Sequence, residues 1–172
     1  MGTQGVARLN DNSLLGEGAD GPSNDMENPT YRTAIQLAIR NITSGTPSHE
    51  LILEIGATPL VLRNVGLPDL PTSILIKTID KAFFDHGITQ GMLERLYAIL
   101  ENPKAIYRSA TQAGTCVVLT YEAQRGMPVV VPIHPAVQIG RSRIVNRVAS
   151  IYGTPSAAVL RWDAEGLVLW RK

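Results

Sequence analysis

Cysteine is nearly absent. Cys116 is the one thiol among 172 residues, so neither an internal disulfide nor a thiolate metal cluster can form within the chain. It stands between Thr115 and Val117 at the head of an apolar run, where a buried, inert thiol is expected rather than a nucleophile. Apolar residues are plentiful but never run to roughly 18 in succession, so no membrane-spanning helix is read. Residues 1–5 carry no basic region and no apolar stretch follows them, which argues against a cleaved secretory signal. The expectation is a chain that acts in a cytoplasm or is a fragment of something larger. Several familiar chemistries are missing too. No Gly-rich phosphate loop with its Lys, no Gly-x-Ser-x-Gly, no His-Glu-x-x-His and no Cys-x-x-Cys occurs, and His49-Glu50 lacks a second ligand at helical spacing. Neither a metal nor a cofactor is expected.

What charge there is lies unevenly. Residues 1–30 set Arg8 against Asp11, Glu17, Asp20, Asp25 and Glu27, a net −4. Residues 104–172 carry nine Lys or Arg against Glu122, Asp163 and Glu165, a net +6, and the segment between contributes −1. A basic C-terminal half suits a polyanion, although solvated surface charge gives the same count.

The chain divides into residues 1–28, a disordered acidic linker too poor in apolar residues to offset the entropy of ordering, and a single domain over 29–172. In the domain, Ile35, Ile39 and Ile42 mark a helix over about 30–43, ended by Ser44-Gly45, and 51–55 reads as a short strand. Pro71-Thr72-Ser73 looks like the start of a helix over 74–85 that Gly87 stops. Thr89 caps the next helix, which carries Met92, Leu93, Leu96 and Leu100 and ends before Pro103. Three β-rich runs follow at 105–109, 116–121 and 129–134, spaced as an antiparallel meander. A helix over 144–152 comes next, then a closing hairpin of 157–162 with 167–170. Helices first and strands afterwards predict an α+β fold, with N-terminal helices packed on one face of a twisted antiparallel sheet of about four to five strands.

The stretch 144–153 is the natural centre of a binding site. On a helix, Ile144, Val148 and Ile151 form an apolar face, while Arg143, Asn146, Arg147 and Ser150 form an opposite face of donors suited to phosphate. An ordinary amphipathic surface helix has the same spacing. With His86 at a helix end, the cluster Tyr107-Arg108-Ser109, His134 and Tyr152, these residues make a constellation able to polarise a phosphodiester. A His or Tyr moving the proton would let it cleave RNA through the 2′-hydroxyl without a metal.

Across about residues 59–170 the order of pieces resembles the C-terminal domain of MuF-type phage head-morphogenesis proteins. The pieces are Thr58-Pro59-Leu60-Val61-Leu62, Val65-Gly66-Leu67-Pro68, His86-Gly87-Ile88-Thr89, Leu100-Glu101-Asn102-Pro103 with Tyr107-Arg108-Ser109, Pro128-Val129-Val130-Val131, and Val145-Asn146 with Ser150-Ile151-Tyr152-Gly153. That family is grouped with metal-independent RNase toxins sharing the fold of barnase, EndoU, colicin and RelE. The resemblance implies that fold and an endoribonuclease toxin acting on RNA, tRNA being one option, in the cytoplasm of a target cell. It implies catalytic roles for His86, Ser109, Asn146, Ser150 and Tyr152 and a cognate immunity protein or antitoxin, while the basic residues Arg108, Arg143 and Arg147 are expected on substrate phosphate. Two departures stand out: Thr154 follows Gly153 where a Lys is expected, and Asn146 lacks a Gly-rich lead-in. The alternatives are a non-catalytic interaction module of a phage head-morphogenesis protein and an ADP-ribosyltransferase-like toxin. The second is weakened because the C-terminal half has no Glu-x-Glu.

Overall fold

The computed structural model describes residues 26–172; most of the expected acidic linker, residues 1–25, lies outside them. Met26 packs on the core, and Asn28 donates its backbone N–H to the Ile55 carbonyl and its side-chain amide to the Glu54 carbonyl. Gly56 is what lets this segment lie so close, because a Cβ there would stand 2.5 Å from the Met26 carbonyl oxygen.

Helix α1 (Tyr31–Thr43) buries Tyr31, Ile35, Ala38, Ile39 and Ile42, the stripe its periodicity foretells. The Tyr31 hydroxyl donates to the Leu93 carbonyl at 2.8 Å, fastening α1 to the next helical pair. Strand β1 (Ile52–Ala57) leads to the short α2 (Leu60–Asn64), β2 (Pro71–Leu75) and α3 (Ile76–Asp80), which continues as a π-helical turn over Lys81–Asp85. Gly87, at φ +67°, turns the chain there as a residue without a Cβ can. Thr89 accepts the Met92 N–H as the cap of α4 (Gln90–Glu94), and α5 (Leu96–Glu101) follows. The remainder is β3 (Ala105–Arg108), β4 (Cys116–Gln124), β5 (Met127–Ile139), β6 (Arg143–Val148), β7 (Tyr152–Gly153), α6 (Ser156–Ala164) and β8 (Val168–Arg171).

The strands form one mixed sheet in the order β1-β2-β6-β5-β4-β3-β8, with β7 also paired to β5. Every pairing is antiparallel except β2 with β6. One face holds the main core, where Ile74, Ile106, Val118, Val131, Ile133 and Val148 meet α1 and α3–α5. The other face is covered only in part. Tyr107, Val117, Leu119 and Val130 pack there with Tyr152 and with Val159 and Trp162 of α6.

The fold is thus α+β, but its sheet has eight strands rather than four or five and is partly parallel. Two expected elements change type and a third starts late. Residues 71–75 are a strand and the helix starts only at Ile76, because Thr72, Ser73 and Ile74 are all buried between β1 and β6 and leave no polar face for a helix to expose. Residues 144–152 are not a helix. The β-branched Ile144, Val145 and Val148 lie in β6, hydrogen-bonded on both sides, and residues 149–151 break the line before β7. Residues 157–162 are helical, not a hairpin arm, since Pro155 precedes a run of helix formers and Gly166 (φ +70°) ends it. Helical cover therefore lies on both faces of the sheet rather than on one.

Candidate functional site

A cleft of about 350 Å³ opens between the 109–115 loop, the exposed end of the second sheet face and α6; it is lined by Arg108, Ser109, His134, Tyr152, Arg161 and Trp162 among others. The loop that builds one wall is self-braced. The Ser109 N–H donates to the Thr115 carbonyl, and the Ser109 hydroxyl accepts the N–H groups of Thr111 and Gln112 at 3.3 and 3.1 Å. Both contacts use lone pairs, so the hydroxyl proton is left to donate into the cleft.

His134 projects from β5 on the same face as Val130 and Pro132. Its Nδ1 lies 2.7 Å from the Thr115 hydroxyl. Its register partner on β6 is Arg147, which faces Ser73 of β2 on its other side. Burial, and then the Arg147 charge, hold the His134 pKa below its usual 6.5. The imidazole is therefore neutral at pH 7.

Tyr152 is positioned by β7, where it pairs with Val130, and by His86. The His86 ring stands edge-on to the Tyr152 ring, centroids 5.9 Å apart and planes at 68°. His86 Nδ1 lies 2.8 Å from the Ile151 carbonyl oxygen. A carbonyl only accepts, so Nδ1 carries the proton of this contact. His86 does not itself line the cleft.

The floor is tied to α6 by a second polar set. The Tyr107 hydroxyl donates to Asp163 at 2.7 Å, and Arg171 donates to both Tyr107 and Asp163. Burial, reinforced by Asp163, pushes the Tyr107 pKa up to about 12, while the Tyr107 hydrogen bond and Arg171 hold Asp163 below its usual value. Trp162 packs against the Tyr107 ring at 5.4 Å between centroids.

Of the residues singled out in the sequence, Tyr107, Arg108, Ser109, His134 and Tyr152 come together in this cleft, with His86 behind Tyr152 and Arg147 beside His134. The others stand elsewhere. Asn146 is fully buried and faces away from the cleft. Its amide donates to the Thr58 hydroxyl and the Pro68 carbonyl and accepts the Ala136 N–H, pinning the bulge where Ala136 takes φ +48°. Arg143 is exposed at the far end of β6, and Ser150 sits on the break between β6 and β7. Sequence reasoning gave no role to Arg161 and Trp162, because 157–162 read as a strand. The pair Pro155-Ser156 before two alanines is the signal that would have found α6.

Among the described residues no three His, Cys, Asp or Glu side chains gather as metal ligands. No described helix is long and apolar enough to cross a membrane. No curated protein and no solved structure matches the chain. A family model does: residues 77–172, more than half of the sequence and the part that contributes every one of these cleft residues, match the phage MuF-C-terminal domain. The chain belongs to the phage MuF C-terminal domain family.

Proposed function

We propose that the cleft binds RNA and cleaves its backbone by activating the 2′-hydroxyl, without a metal. The carrying observation is convergence: Arg108, Ser109, His134 and Tyr152, from three strands and a loop, line one cavity. His134, neutral at pH 7, has the form a general base needs. It takes the 2′-hydroxyl proton as that oxygen bonds to phosphorus. The bond from phosphorus to the 5′ oxygen breaks, and the Tyr152 hydroxyl gives its proton to the leaving oxygen. The products are a 2′,3′-cyclic phosphate and a 5′-hydroxyl. Arg108 and Ser109 donate to the non-bridging oxygens, where negative charge builds. His86 orients Tyr152 through the ring contact and the Ile151 bond. In this reading the substrate is cellular RNA in a target cytoplasm, and a producing cell needs a neutralising protein.

The test is RNA incubated with the purified chain in EDTA, with product ends identified. Cyclic phosphate ends are expected, and His134→Ala and Tyr152→Phe each slow cleavage by about 10²–10⁴-fold without loss of folding. RNA left intact at every protein concentration refutes the reading.

A non-catalytic docking module is the second reading, favoured by Tyr121 and Leu160, which are 58% and 68% exposed and line another cavity beside β8. Under it, Leu160→Asp abolishes binding to a phage head protein and RNA is never cut.

A further inference from the structure

We infer that the cleft is a single-nucleotide subsite, with the base held against Trp162 of α6 and the phosphate on Arg108. This rests on the RNA reading above and adds which part of the substrate each wall takes. Size gives the first argument. A cavity of about 350 Å³ is at the small end of ligand pockets, roughly 300–1,000 Å³, so it accommodates one flipped-out nucleotide and excludes a duplex.

Charge sets the direction. Arg108 is exposed on the β3 side, and its backbone N–H is already anchored to the Leu167 carbonyl, so its guanidinium is carried on a fixed strand. At the end of α6 Glu165 also lines the cleft, 3.9 Å from Arg161, which it partly neutralises. Arg161 and Glu165 offset each other there, so Arg108 is, among the described residues, the cleft cation left without a paired carboxylate and draws the phosphate. Trp162 lies in the last turn of α6 and Glu165 caps that helix three residues on, and both line the cleft. An indole beside a carboxylate fits a base, whose π face stacks on the ring while N–H groups on its edge donate to the carboxylate. Guanine suits it well, because N1–H and the 2-amino group meet both carboxylate oxygens.

Trp162 itself is held for this role. Tyr107 backs it, and Tyr107 is in turn fixed to Asp163 and Arg171, so an incoming base meets a ring that is already placed.

The chain has two tryptophans, so Trp170→Phe leaves Trp162 as the sole indole reporter. Guanosine 3′-monophosphate titrated into that variant is expected to quench the indole saturably, whereas inorganic phosphate is not. Trp162→Ala, followed by calorimetry, should weaken nucleotide affinity by roughly 5- to 150-fold. Because Trp162 also packs on Tyr107, Arg108→Ala supplies a second variant whose exposed side chain has no part in the core. It should weaken the nucleotide and leave unphosphorylated guanosine unchanged. Quenching without any RNA cleavage would keep the subsite and remove the catalytic reading. Cleavage with no quenching at saturating nucleotide, or phosphate binding as tightly as the nucleotide, overturns the subsite and leaves the catalytic reading standing.

Discussion

The Asn146 amide donates to the Thr58 hydroxyl at 2.7 Å, joining residues 88 positions apart at a fully buried point. That hydroxyl also meets the Thr72 hydroxyl and the Leu70 carbonyl, at 2.8 and 2.6 Å, so one polar knot links β6, β2 and the segment between β1 and α2. Asn146→Ala strands the Ala136 N–H, the Pro68 carbonyl and part of the Thr58 hydroxyl without partners. The expected loss is about 2–4 kcal/mol, read as a lower denaturant midpoint at constant slope. An unshifted midpoint would show that the knot contributes nothing to stability.

How such residues read from sequence depends on whether their signal is local. The helix over 31–43, the Thr89 cap and the three β-runs after Pro103 were legible because spacing, a cap and β-branched runs act within a few residues. The strand at 71–75, where only a helix start was read, and the type of 143–148 were not. Those strands are specified by partners far along the chain, β1, β5 and each other, while the i, i+4 spacing of Ile144 and Val148 fits a helix equally well. The site was half legible for the same reason. Arg108, Ser109, His134 and Tyr152 were visible as residue types, but only the sheet order places His134 opposite Arg147 and close to Thr115. Asn146, which looks like a donor for substrate, spends its amide on the fold.

His134 gives a pH dependence with a definite sign. Its folded pKa is below the 6.5 of the unfolded chain, so between the two values the unfolded state binds more protons. The stability it contributes is fully present above pH 6.5 and is lost as the pH falls through that window. NMR titration of the ring should show a midpoint below 6.5. Arg147→Ala should move it upward by removing the charge, though not beyond 6.5, because burial is the larger cause. A midpoint at or above 6.5 in the parent chain contradicts this environment.

Tyr107 offers a spectroscopic check on the α6 tether. Ultraviolet titration should find one phenol ionising near pH 12, well above the usual 10. Asp163→Asn removes the anion that opposes ionisation and leaves Arg171, which favours it, so this midpoint should fall. Burial keeps it from returning to 10. If Asp163→Asn leaves the titration unchanged, the hydrogen bond between Tyr107 and α6 does not form in solution.

His86 and His134 should separate when their variants are compared on the same samples. His86→Ala removes the donor to the Ile151 carbonyl and the edge contact to Tyr152, costing about 1–2 kcal/mol of stability. Its effect on cleavage passes through Tyr152. The loss should therefore be smaller than that of His134→Ala and should shrink further in a Tyr152→Phe background. Equal, additive losses would place His86 at the reacting atoms as well.

Salt dependence distinguishes the three arginines that the sequence offers as phosphate ligands. A helix would set Arg143 and Arg147 side by side; on β6 they share one side of the strand but lie about 13 Å apart, at roughly 3.3 Å per residue. Arg147 stands beside His134, Arg108 lines the cleft itself, and Arg143 pairs with Ile139 at the distant end of the sheet. Single-stranded RNA releases counterions for each phosphate neutralised. Removing one phosphate-binding cation should therefore reduce the slope of log affinity against log salt by about 0.7. Arg108→Ala and Arg147→Ala should each show that reduction, and the double variant about twice as much. Arg143→Ala should leave the slope as it is. A slope that responds to Arg143 but not to Arg108 would move the RNA path off the cleft and along the outer end of β6.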